Sequence, residues 1–173
     1  MKRLRYQVAM SLDGCIAGPH GEFDWIPNDP DIDFAGLFAQ FDTLVMGRKT
    51  FDISVASGGD GTMEGVQVVV FSNTLDPAKY PKVRVRRGDP AGYVRQLKQE
   101  AGKDIWLYGG GELFRVLLEA GLVDTVEIAV VPVLVGGGIA MLPPPAPRTP
   151  LVFRAHRVYP KSGIVLLEYD VRR

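Results

Sequence analysis

Two glycine-bearing segments of the 173-residue chain have the residue types and spacing of anion-binding sites. The first is Gly109-Gly110-Gly111, which follows an apolar run and comes directly before a helical pattern of apolar residues. Backbone N–H groups at a helix N-terminus lack partners within the helix, and glycine lets a ligand approach them closely. The second is Gly47-Arg48-Lys49-Thr50, which adds two cations and a hydroxyl at the start of another helical pattern. Both segments are therefore predicted to bind phosphate groups.

Neither segment contains a familiar nucleotide-binding motif. Residues 109–114 lack the third glycine of G-x-G-x-x-G, and G-x-x-x-x-G-K-[ST] does not occur in the chain. The glycines therefore have a second interpretation, as a turn without a ligand. Arg48 and Lys49 favour the first interpretation, because cations beside a helix N-terminus oppose the helix dipole unless an anion lies between them. A solvated charged pair is the alternative for these two side chains.

Polar side chains at other predicted element ends are further candidates for a site. Ser72 and Asn73 follow a strongly β-branched strand pattern, and small ligands bind at such strand ends in open α/β sheets. Asp13 lies in a glycine-rich loop after the first predicted strand. Asp31 and Asp33 precede an apolar helical pattern, so they are interpreted either as helix caps or as substrate contacts.

Strand patterns and helical patterns alternate along the chain, and the elements that they predict must position these residues. Apolar and β-branched runs alternate with helical patterns up to about residue 120, and strand patterns follow to the C-terminus. The alternation predicts an α/β fold in one domain, residues 1–173, with a mainly parallel central sheet and an antiparallel C-terminal hairpin. Further expectations are a helical stripe that includes Phe41, a strand over residues 122–135 buried on both faces, and a hairpin over residues 151–172.

Composition argues against several classes of function. The chain is 46% hydrophobic and 23% charged, which suits one globular domain. Its 20 basic and 20 acidic residues give no whole-chain attraction to nucleic acid or to an anionic membrane surface. Cys15, His20 and His156 are its only cysteine and histidines, so neither an intrachain disulfide nor a metal site is expected. No apolar stretch approaches the length of a membrane span, and a cytoplasmic protein is expected.

Six short segments occur together in one order along the chain. They are Ser11-Leu-Asp-Gly14, Val45-Met-Gly-Arg-Lys-Thr50, Phe71-Ser-Asn73, Tyr108-Gly-Gly-Gly111, Gly121-Leu-Val-Asp124 and Pro132-Val-Leu-Val-Gly136. This combination resembles the dihydrofolate reductase-like superfamily, and most closely the reductase (C-terminal) domain family of the bifunctional riboflavin biosynthesis deaminase/reductase. The resemblance implies a three-layer fold and hydride transfer from NADPH to a C=N or C=O bond of a small heterocycle, as in 5-amino-6-(5-phosphoribosylamino)uracil reductase.

The resemblance also implies where the cofactor lies. NADPH would cross the sheet with its pyrophosphate region at the two glycine segments, its 2′-phosphate at the end of the β-branched strand, and the loop after the first strand closed over its nicotinamide. The implied cofactor-binding residues are Ala9, Ile16, Gly47, Arg48, Lys49, Thr50, Ser72, Asn73, Gly109, Gly110, Gly111, Glu112, Leu113 and Phe114.

Five residues are implied on the substrate side by the same resemblance. Asp33 and Tyr108 are the implied catalytic residues, and Tyr108 stands where riboflavin-pathway reductases usually carry a glutamate. Asp13, Trp25 and Asp31 are the implied substrate-binding residues. Asp31 and Asp33 compete for the place of the helix carboxylate that binds the pterin in dihydrofolate reductase, and Asp33 is preferred.

Three further expectations complete the sequence-based hypothesis. The resemblance implies a cis peptide bond between Gly109 and Gly110. A homodimer is expected, because the nearly uncharged strand over residues 126–135 and the terminal hairpin would otherwise leave apolar surface poorly covered. Dihydrofolate reductase is the alternative enzyme, and a non-catalytic nucleotide-binding dimeric module is the alternative of another class, because a fold does not determine a function.

Overall fold

The structure is a computed structural model, and it describes residues 1–172. Within this range the strands are β1 (Leu4–Ser11), β2 (Cys15–Ala17), β3 (Phe41–Gly47), β4 (Gln67–Phe71), β5 (Arg84–Arg86), β6 (Asp104–Gly109), β7 (Thr125–Val131), β8 (Ile139–Ala140), β9 (Leu151–Tyr159) and β10 (Ile164–Val171). The α-helices are α1 (Phe34–Phe38), α2 (Arg48–Ala56), α3 (Pro90–Gln99) and α4 (Gly111–Glu119).

Eight of these strands form one sheet, in the order β5-β4-β3-β6-β1-β7-β10-β9. The six strands from β5 to β7 pair in parallel, whereas β10 is antiparallel to β7 and β9 is antiparallel to β10. The predicted α/β fold, with a mainly parallel sheet and an antiparallel C-terminal hairpin, is therefore confirmed. The remaining strands, β2 and β8, form a small antiparallel pair beside this sheet.

Helices cover both faces of the sheet, which produces three layers. On one face α3 and α4 pack against the alternating apolar residues of β1, and the ring of Phe114 stacks on that of Tyr6 with centroids 3.8 Å apart. Burial of Tyr6 raises the pKa of its phenol above the usual value. On the other face, α1 and α2 cover only the part of the sheet formed by β3, β4 and β6. Phe51 and Trp106 lie in the second core cluster, between these helices and the strands. The part of this second face over β1, β7 and β10 is left for a cleft.

The structure differs from two of the sequence-based expectations for secondary structure. Phe41 was expected on a helical stripe, but α1 ends at Phe38 after a little more than one turn, and Phe41 begins β3. Burial in the core beside Trp106 outweighs helical spacing at this position, and the two rings lie 5.2 Å apart. The expected strand over residues 122–135 is also too long, because β7 ends at Val131, immediately before Pro132, which lacks the N–H that a continuing ladder requires.

The glycine-rich loop after β1 contains more regular structure than expected. Its residues Cys15–Ala17 form β2, which pairs with β8 and so ties the loop to the segment after β7. Within the described residues 1–172, no helix is both long and apolar enough to cross a membrane.

Candidate functional site

A cleft of about 1470 Å³ opens between α1, α2, the start of α4 and the C-terminal hairpin. The sheet forms its floor. Most of the residues predicted from the sequence as site residues border it: Ala9, Ile16, Asp33, Gly47, Arg48, Lys49, Thr50, Tyr108, Gly109, Gly110, Gly111, Glu112 and Leu113. The cleft therefore brings together segments that lie up to a hundred residues apart in the chain.

The N-termini of α2 and α4 meet at one end of this cleft. β3 and β6 are neighbouring parallel strands, and each leads directly into its helix at the same edge of the sheet. Their N-cap residues are Gly47 and Gly110, and in residues 1–172 neither cap is satisfied by a side-chain hydrogen bond. By contrast, Asp33 caps α1 and Asp89 caps α3. Two unsatisfied helix N-termini side by side form a concentrated anion-binding surface.

The backbone at these two glycines leaves room for a ligand. A Cβ atom placed on Gly47 would meet no described atom within 4 Å. Gly110 has a φ of +94°, a conformation that favours glycine, and it turns the chain from β6 into α4. The expected cis bond between Gly109 and Gly110 is wrong: in the described part of the chain the one cis bond is Pro144-Pro145. The left-handed conformation of Gly110 makes the turn instead.

Arg48 connects the N-terminus of α2 with the chain that follows β4. Its Nε donates to both carboxylate oxygens of Asp52, at 2.7 and 2.8 Å, and its Nη1 donates to the hydroxyl of Thr74 at 3.3 Å. Ser72 Oγ accepts hydrogen bonds from two backbone amides, which leaves its hydroxyl hydrogen available. Asn73 Oδ1 accepts from the amide of Gly88 at 3.3 Å, so its NH₂ group points elsewhere. This corner therefore offers guanidinium, hydroxyl and amide donors to an anion.

The floor of the cleft consists of transverse rows of side chains from neighbouring strands. Sheet register places Gln7 of β1 opposite Glu127 of β7, and Glu127 opposite Glu168 of β10. One step towards the carboxyl ends of the strands, Ala9 lies opposite Ala129. The floor is thus polar towards the amino ends of the strands, which we call its deep end. It is lined by small residues towards the carboxyl ends, beside the helix N-termini. Flat rings can lie closely over the alanine row.

A buried ion pair supports the deep end of the floor. Arg5 binds Glu127 through two hydrogen bonds of 2.8 Å, and Glu127, which is 2% exposed, also accepts from the hydroxyl of Thr125 at 2.8 Å. Arg5 donates further to Gln40 at 2.7 Å. Burial acts to lower the pKa of Arg5, but its hydrogen bond to Glu127 and the nearby acids outweigh burial, and the net pKa is raised. The guanidinium of Arg5 therefore remains charged, and these hydrogen bonds hold both side chains in one orientation.

Sequence-based reasoning missed this pair, although two signals for it were present. Residues 3–8 alternate polar and apolar side chains, as expected for a strand with one polar face. Glu127 interrupts the apolar residues of β7 between Val126 and Ile128. An acid in such a position is stable when a cation faces it from a neighbouring strand.

Arg154 and Arg157 of the hairpin also border the cleft, and neither was predicted from the sequence as a site residue. A register shift between Glu168 and Tyr169 leaves an extra residue in β9 between Phe153 and Ala155. Because one extra residue reverses the alternation of faces, Arg154 joins Arg157 on the cleft side. The guanidinium of Arg157 lies 4.9 Å from the ring centroid of Tyr159. These side chains make the hairpin wall of the cleft basic.

The predicted acidic residues do not all reach the cleft. Asp33 borders it, and one of its oxygens accepts from the amide of Gly36 at 2.8 Å as the cap of α1. Asp31 instead forms an exposed ion pair with Lys161 at 2.7 Å, outside the cleft. Of the two competing acids, the structure therefore brings Asp33 to the cleft.

Asp13 lies outside the cleft and connects two loops. Its carboxylate accepts from Ser11 Oγ at 2.6 Å and from the amides of Val135 and Gly136 at 3.0 and 2.8 Å. The hydrogen bond from Ser11, followed by those from the two amides, lowers the pKa of Asp13 to about 2. Asp13 thus holds the loop after β1 against the segment after β7. Its predicted contact with a substrate remains a prediction.

The two predicted aromatic contacts differ in position. Tyr108 borders the cleft, its ring lies 5.1 Å from that of Trp106, and burial raises the pKa of its phenol. Because the phenol therefore stays protonated, it can donate a hydrogen bond into the cleft. Trp25 packs against the small apolar cluster of Val131, Tyr159 and Ile164, and its indole donates to the carbonyl of Glu22. Phe114 is a core residue under Tyr6 rather than a lining residue.

Comparison with known proteins gives a family and a fold. The sequence model of the RibD C-terminal domain matches residues 2–163. The uncharacterized protein YyaP of Bacillus subtilis is 32% identical over 179 residues, which cover 97% of this chain and 94% of the relative.

Two solved structures illustrate the similarity in three dimensions. One is a candidate riboflavin biosynthesis protein from Shewanella sp. PV-4, with a TM-score of 0.84, 27% identity and 99% of both chains covered. The other is dihydrofolate reductase from Enterococcus faecalis, solved with NADP(H), with a TM-score of 0.72, 16% identity and 99% and 97% of the two chains covered. At that identity, the likeness to dihydrofolate reductase concerns the fold alone.

Proposed function

Because the chain belongs to the RibD C-terminal domain family, we propose that it is an NADPH-dependent reductase of a small heterocyclic substrate. The observation that carries this proposal is the pair of neighbouring helix N-termini, at Gly47 and Gly110, which open without side-chain caps into one large cleft among the described residues. Such a surface suits the pyrophosphate of a dinucleotide. Residues 1–173 would act as one reductase domain.

The proposed cofactor extends from this end of the cleft in two directions. Towards β4, the donors of Arg48, Ser72 and Asn73 would hold the 2′-phosphate of the adenosine half. Towards β1, the nicotinamide would lie over the small side chain of Ala9 and beside Ile16, both of which border the cleft. The neighbouring Ala129 leaves room for a second flat ring next to the nicotinamide.

Bound NADPH would supply the hydride, and the protein would supply position, water exclusion and electrostatics. Asp33 and Tyr108 border the proposed substrate end of the cleft. The carboxylate of Asp33 can orient an N–H group of the ring, and the protonated phenol of Tyr108 can donate to a ring nitrogen or carbonyl oxygen. Hydride transfer to a C=N or C=O bond leaves negative charge on nitrogen or oxygen, which such donors stabilise.

The proposed substrate is the pyrimidine of a riboflavin-type reductase, 5-amino-6-(5-phosphoribosylamino)uracil. Its phosphate distinguishes it from dihydrofolate, the alternative substrate. Arg154 and Arg157 support the phosphorylated pyrimidine, because they put two guanidinium groups on the hairpin wall of the cleft. Glu168, on the neighbouring strand, also borders the cleft and limits the net positive charge there.

The test of this function is NADPH oxidation with each of the two candidate substrates. We expect activity with the phosphorylated pyrimidine, and a loss of roughly tenfold or more in kcat/KM for Asp33→Asn, the cost of one charge-assisted hydrogen bond. Asparagine is as good an N-cap as aspartate, so α1 should be retained. Asp31→Asn should lose less, because Asp31 binds Lys161 outside the cleft.

Two other outcomes would change the assignment. Activity with dihydrofolate alone would indicate the alternative enzyme. Tight NADPH binding without oxidation in the presence of either substrate would support a non-catalytic nucleotide-binding module and would contradict the reductase proposal.

We further propose that the protein is a homodimer formed through the hairpin of β9 and β10. Strand β9 is at the edge of the sheet. Leu151, Phe153 and Val158 are 43%, 56% and 53% exposed, and their strand partners place them on the face opposite the cleft. The other expected contributor, β7, is enclosed between β1 and β10 and does not form an edge. A second copy that covers the exposed face would remove this apolar surface from water.

Sedimentation at micromolar concentration should give a dimer mass, and Phe153→Lys should shift the equilibrium towards monomer by at least tenfold. Val152→Lys is the matched control, because the neighbouring residue pairs with Asp170 on the opposite face of the same strand. A monomer mass for the wild-type protein would contradict the proposal.

The proposal also includes a cytoplasmic location, without nucleic acid or membrane as partners. The absence of nucleic acid and anionic membranes among the proposed partners is based on the charge balance of the sequence, 20 basic against 20 acidic residues.

A further inference from the structure

Gln7 occupies the centre of the cleft floor. Its strand, β1, is an interior strand between β6 and β7. Parallel register places Gln7 opposite Glu127 on one side, and on the other the indole of Trp106 in β6 donates to the backbone carbonyl of Gln7 at 2.9 Å. Gln7 is two residues before Ala9, so it lies one side-chain row deeper than the proposed nicotinamide position. A group that reaches Gln7 therefore lies beyond the cofactor.

The side-chain amide of Gln7 makes no hydrogen bond among residues 1–172, and its Oε1 is enclosed without a partner. Gln40, at the edge of the same cleft, is different, because its Oε1 accepts from Arg5 at 2.7 Å and its Nε2 donates to the carbonyl of Gly36 at 3.2 Å. Enclosed polar atoms are almost always bonded in native proteins, and an unbonded one destabilises the fold. The side-chain amide of Gln7 therefore does not stabilise the fold.

The surroundings of Gln7 indicate what kind of group would satisfy it. Glu127 already accepts three hydrogen bonds from Arg5 and Thr125, and Glu168 lies beyond it on β10, so the unbonded group between Glu127 and the aromatic side chains of β6 is the neutral amide of Gln7. Trp106 and Tyr108 form an aromatic wall beside it, and Phe38 of α1 extends this wall, with its ring 5.6 Å from that of Trp106. Aromatic walls accommodate flat rings, and a neutral amide recognises an N–H or C=O group on a ring edge.

We propose that Gln7 is a specificity-determining residue, whose amide oxygen accepts a hydrogen bond from a ring N–H of a cyclic-amide substrate. This inference rests on the proposed function, because it assigns the substrate ring to the same cleft. Since no described residue fixes either end of the amide, a half-turn of the group can bring its oxygen to the ring. A substrate whose ring nitrogens are fully substituted would leave the oxygen unbonded and would be rejected.

Binding of uracil and of its N,N′-dimethyl derivative tests this proposal without requiring turnover. Both are flat cyclic amides, but only uracil has ring N–H groups. By ligand-observed NMR at millimolar concentration, with the protein saturated by NADPH and also without it, the wild-type protein should bind uracil at least tenfold more tightly than the derivative. The isosteric variant Gln7→Met should lose this preference and keep its affinity for NADPH. Equal binding of both compounds to the wild type, or binding of neither, overturns the proposal.

Thermal unfolding provides a second readout that does not depend on a ligand. Gln7→Met should raise the Tm by about 2–6 °C, because it removes an unbonded polar group without changing the side-chain volume. Gln40→Met is the matched control and should lower the Tm, because it removes two hydrogen bonds, one from Arg5 and one to the carbonyl of Gly36. A loss of Tm in Gln7→Met as large as that in Gln40→Met would show a structural role and overturn the proposal.

The two proposals can fail separately. If NADPH is not oxidised but uracil binding still depends on Gln7, the reductase proposal fails and the assignment of Gln7 stands. If the pyrimidine is reduced and Gln7→Met leaves both its KM and the uracil preference unchanged, the reductase proposal stands and the assignment of Gln7 is overturned.

Discussion

Replacing Arg48 by alanine is expected to weaken NADPH binding by roughly a hundredfold, and NADH binding by less than about threefold. The two cofactors differ by the 2′-phosphate, which we assign to the corner formed by Arg48, Ser72 and Asn73. The guanidinium of Arg48 already lies at this corner, because its Nε donates to the carboxylate of Asp52 in α2 and its Nη1 donates to the hydroxyl of Thr74 after β4. It therefore does not need to reorganise in order to bind an anion.

The expected magnitude follows from the number of bonds that Arg48 can form. Its Nε is directed at Asp52, which leaves donors of the guanidinium group for a phosphate. Each charge-assisted hydrogen bond contributes about 1.5–3 kcal/mol, so one or two such bonds correspond to between roughly tenfold and roughly twenty-thousandfold in affinity. The competing attraction of Asp52 places the expected value in the lower part of this range.

A fluorescence titration of both cofactors into the wild type and the variant would measure this effect. Arg95→Ala is the matched control, because it removes an exposed cation of α3 for which the described residues contain no hydrogen-bond partner. It should change both affinities by less than about twofold, which separates a specific contact from the general loss of one charge. If the wild type binds NADPH and NADH equally, the assignment of this corner is wrong even should the protein prove to be a reductase.

The cofactor end of the cleft could be predicted from the sequence because its signals are local. A glycine followed by a helical pattern marks a helix N-terminus, and a β-branched run before it marks the strand that positions it. Gly47 and Gly110 have these neighbours within ten residues on either side. The adjacency of the two helix N-termini depends on the order of strands in the sheet. That order is implied by the resemblance to a superfamily, and the local sequence pattern does not contain it.

The substrate end was harder to predict because its residues come from distant parts of the chain. Arg5 and Glu127 are 122 residues apart and meet because β1 and β7 are neighbours in the sheet. Arg154 enters the cleft only because of an extra residue in β9, which the alternation of side chains in the sequence does not reveal. Phe41 was misassigned because α1 is unusually short and the same apolar residue fits a helix face or a strand.

Replacing Arg5 by methionine is expected to destabilise the protein by about 3–5 kcal/mol. Methionine retains most of the contact with neighbouring side chains, but it leaves Glu127, which is 2% exposed, without its counter-charge. Thr125 then remains as the one described side chain that donates to this carboxylate. Removal of one partner from a buried ion pair is costly, because the remaining charge has lost water and gained no substitute.

Two comparison variants separate this effect from a general loss of packing. Arg3→Met removes a cation from the same strand, but Arg3 and its partner Asp170 are 39% and 48% exposed, so a change of less than about 1 kcal/mol is expected. The double variant Arg5→Met, Glu127→Leu removes both charges. It should recover most of the lost stability, because an apolar pair of similar volume needs no counter-charge.

Denaturant unfolding of the four proteins would measure these differences, and at 173 residues the single variant Arg5→Met should lose roughly 6–20 °C in Tm. Because Glu127 lies beside Gln7 in the same row and Arg5 lies one row behind it, the single variant should also lose the preference for uracil over its dimethyl derivative. The double variant, which restores stability without restoring the charges, shows whether that preference needs the ion pair itself or only an intact floor. A double variant no more stable than Arg5→Met alone would mean that packing of the arginine side chain, rather than the uncompensated charge of Glu127, causes the loss.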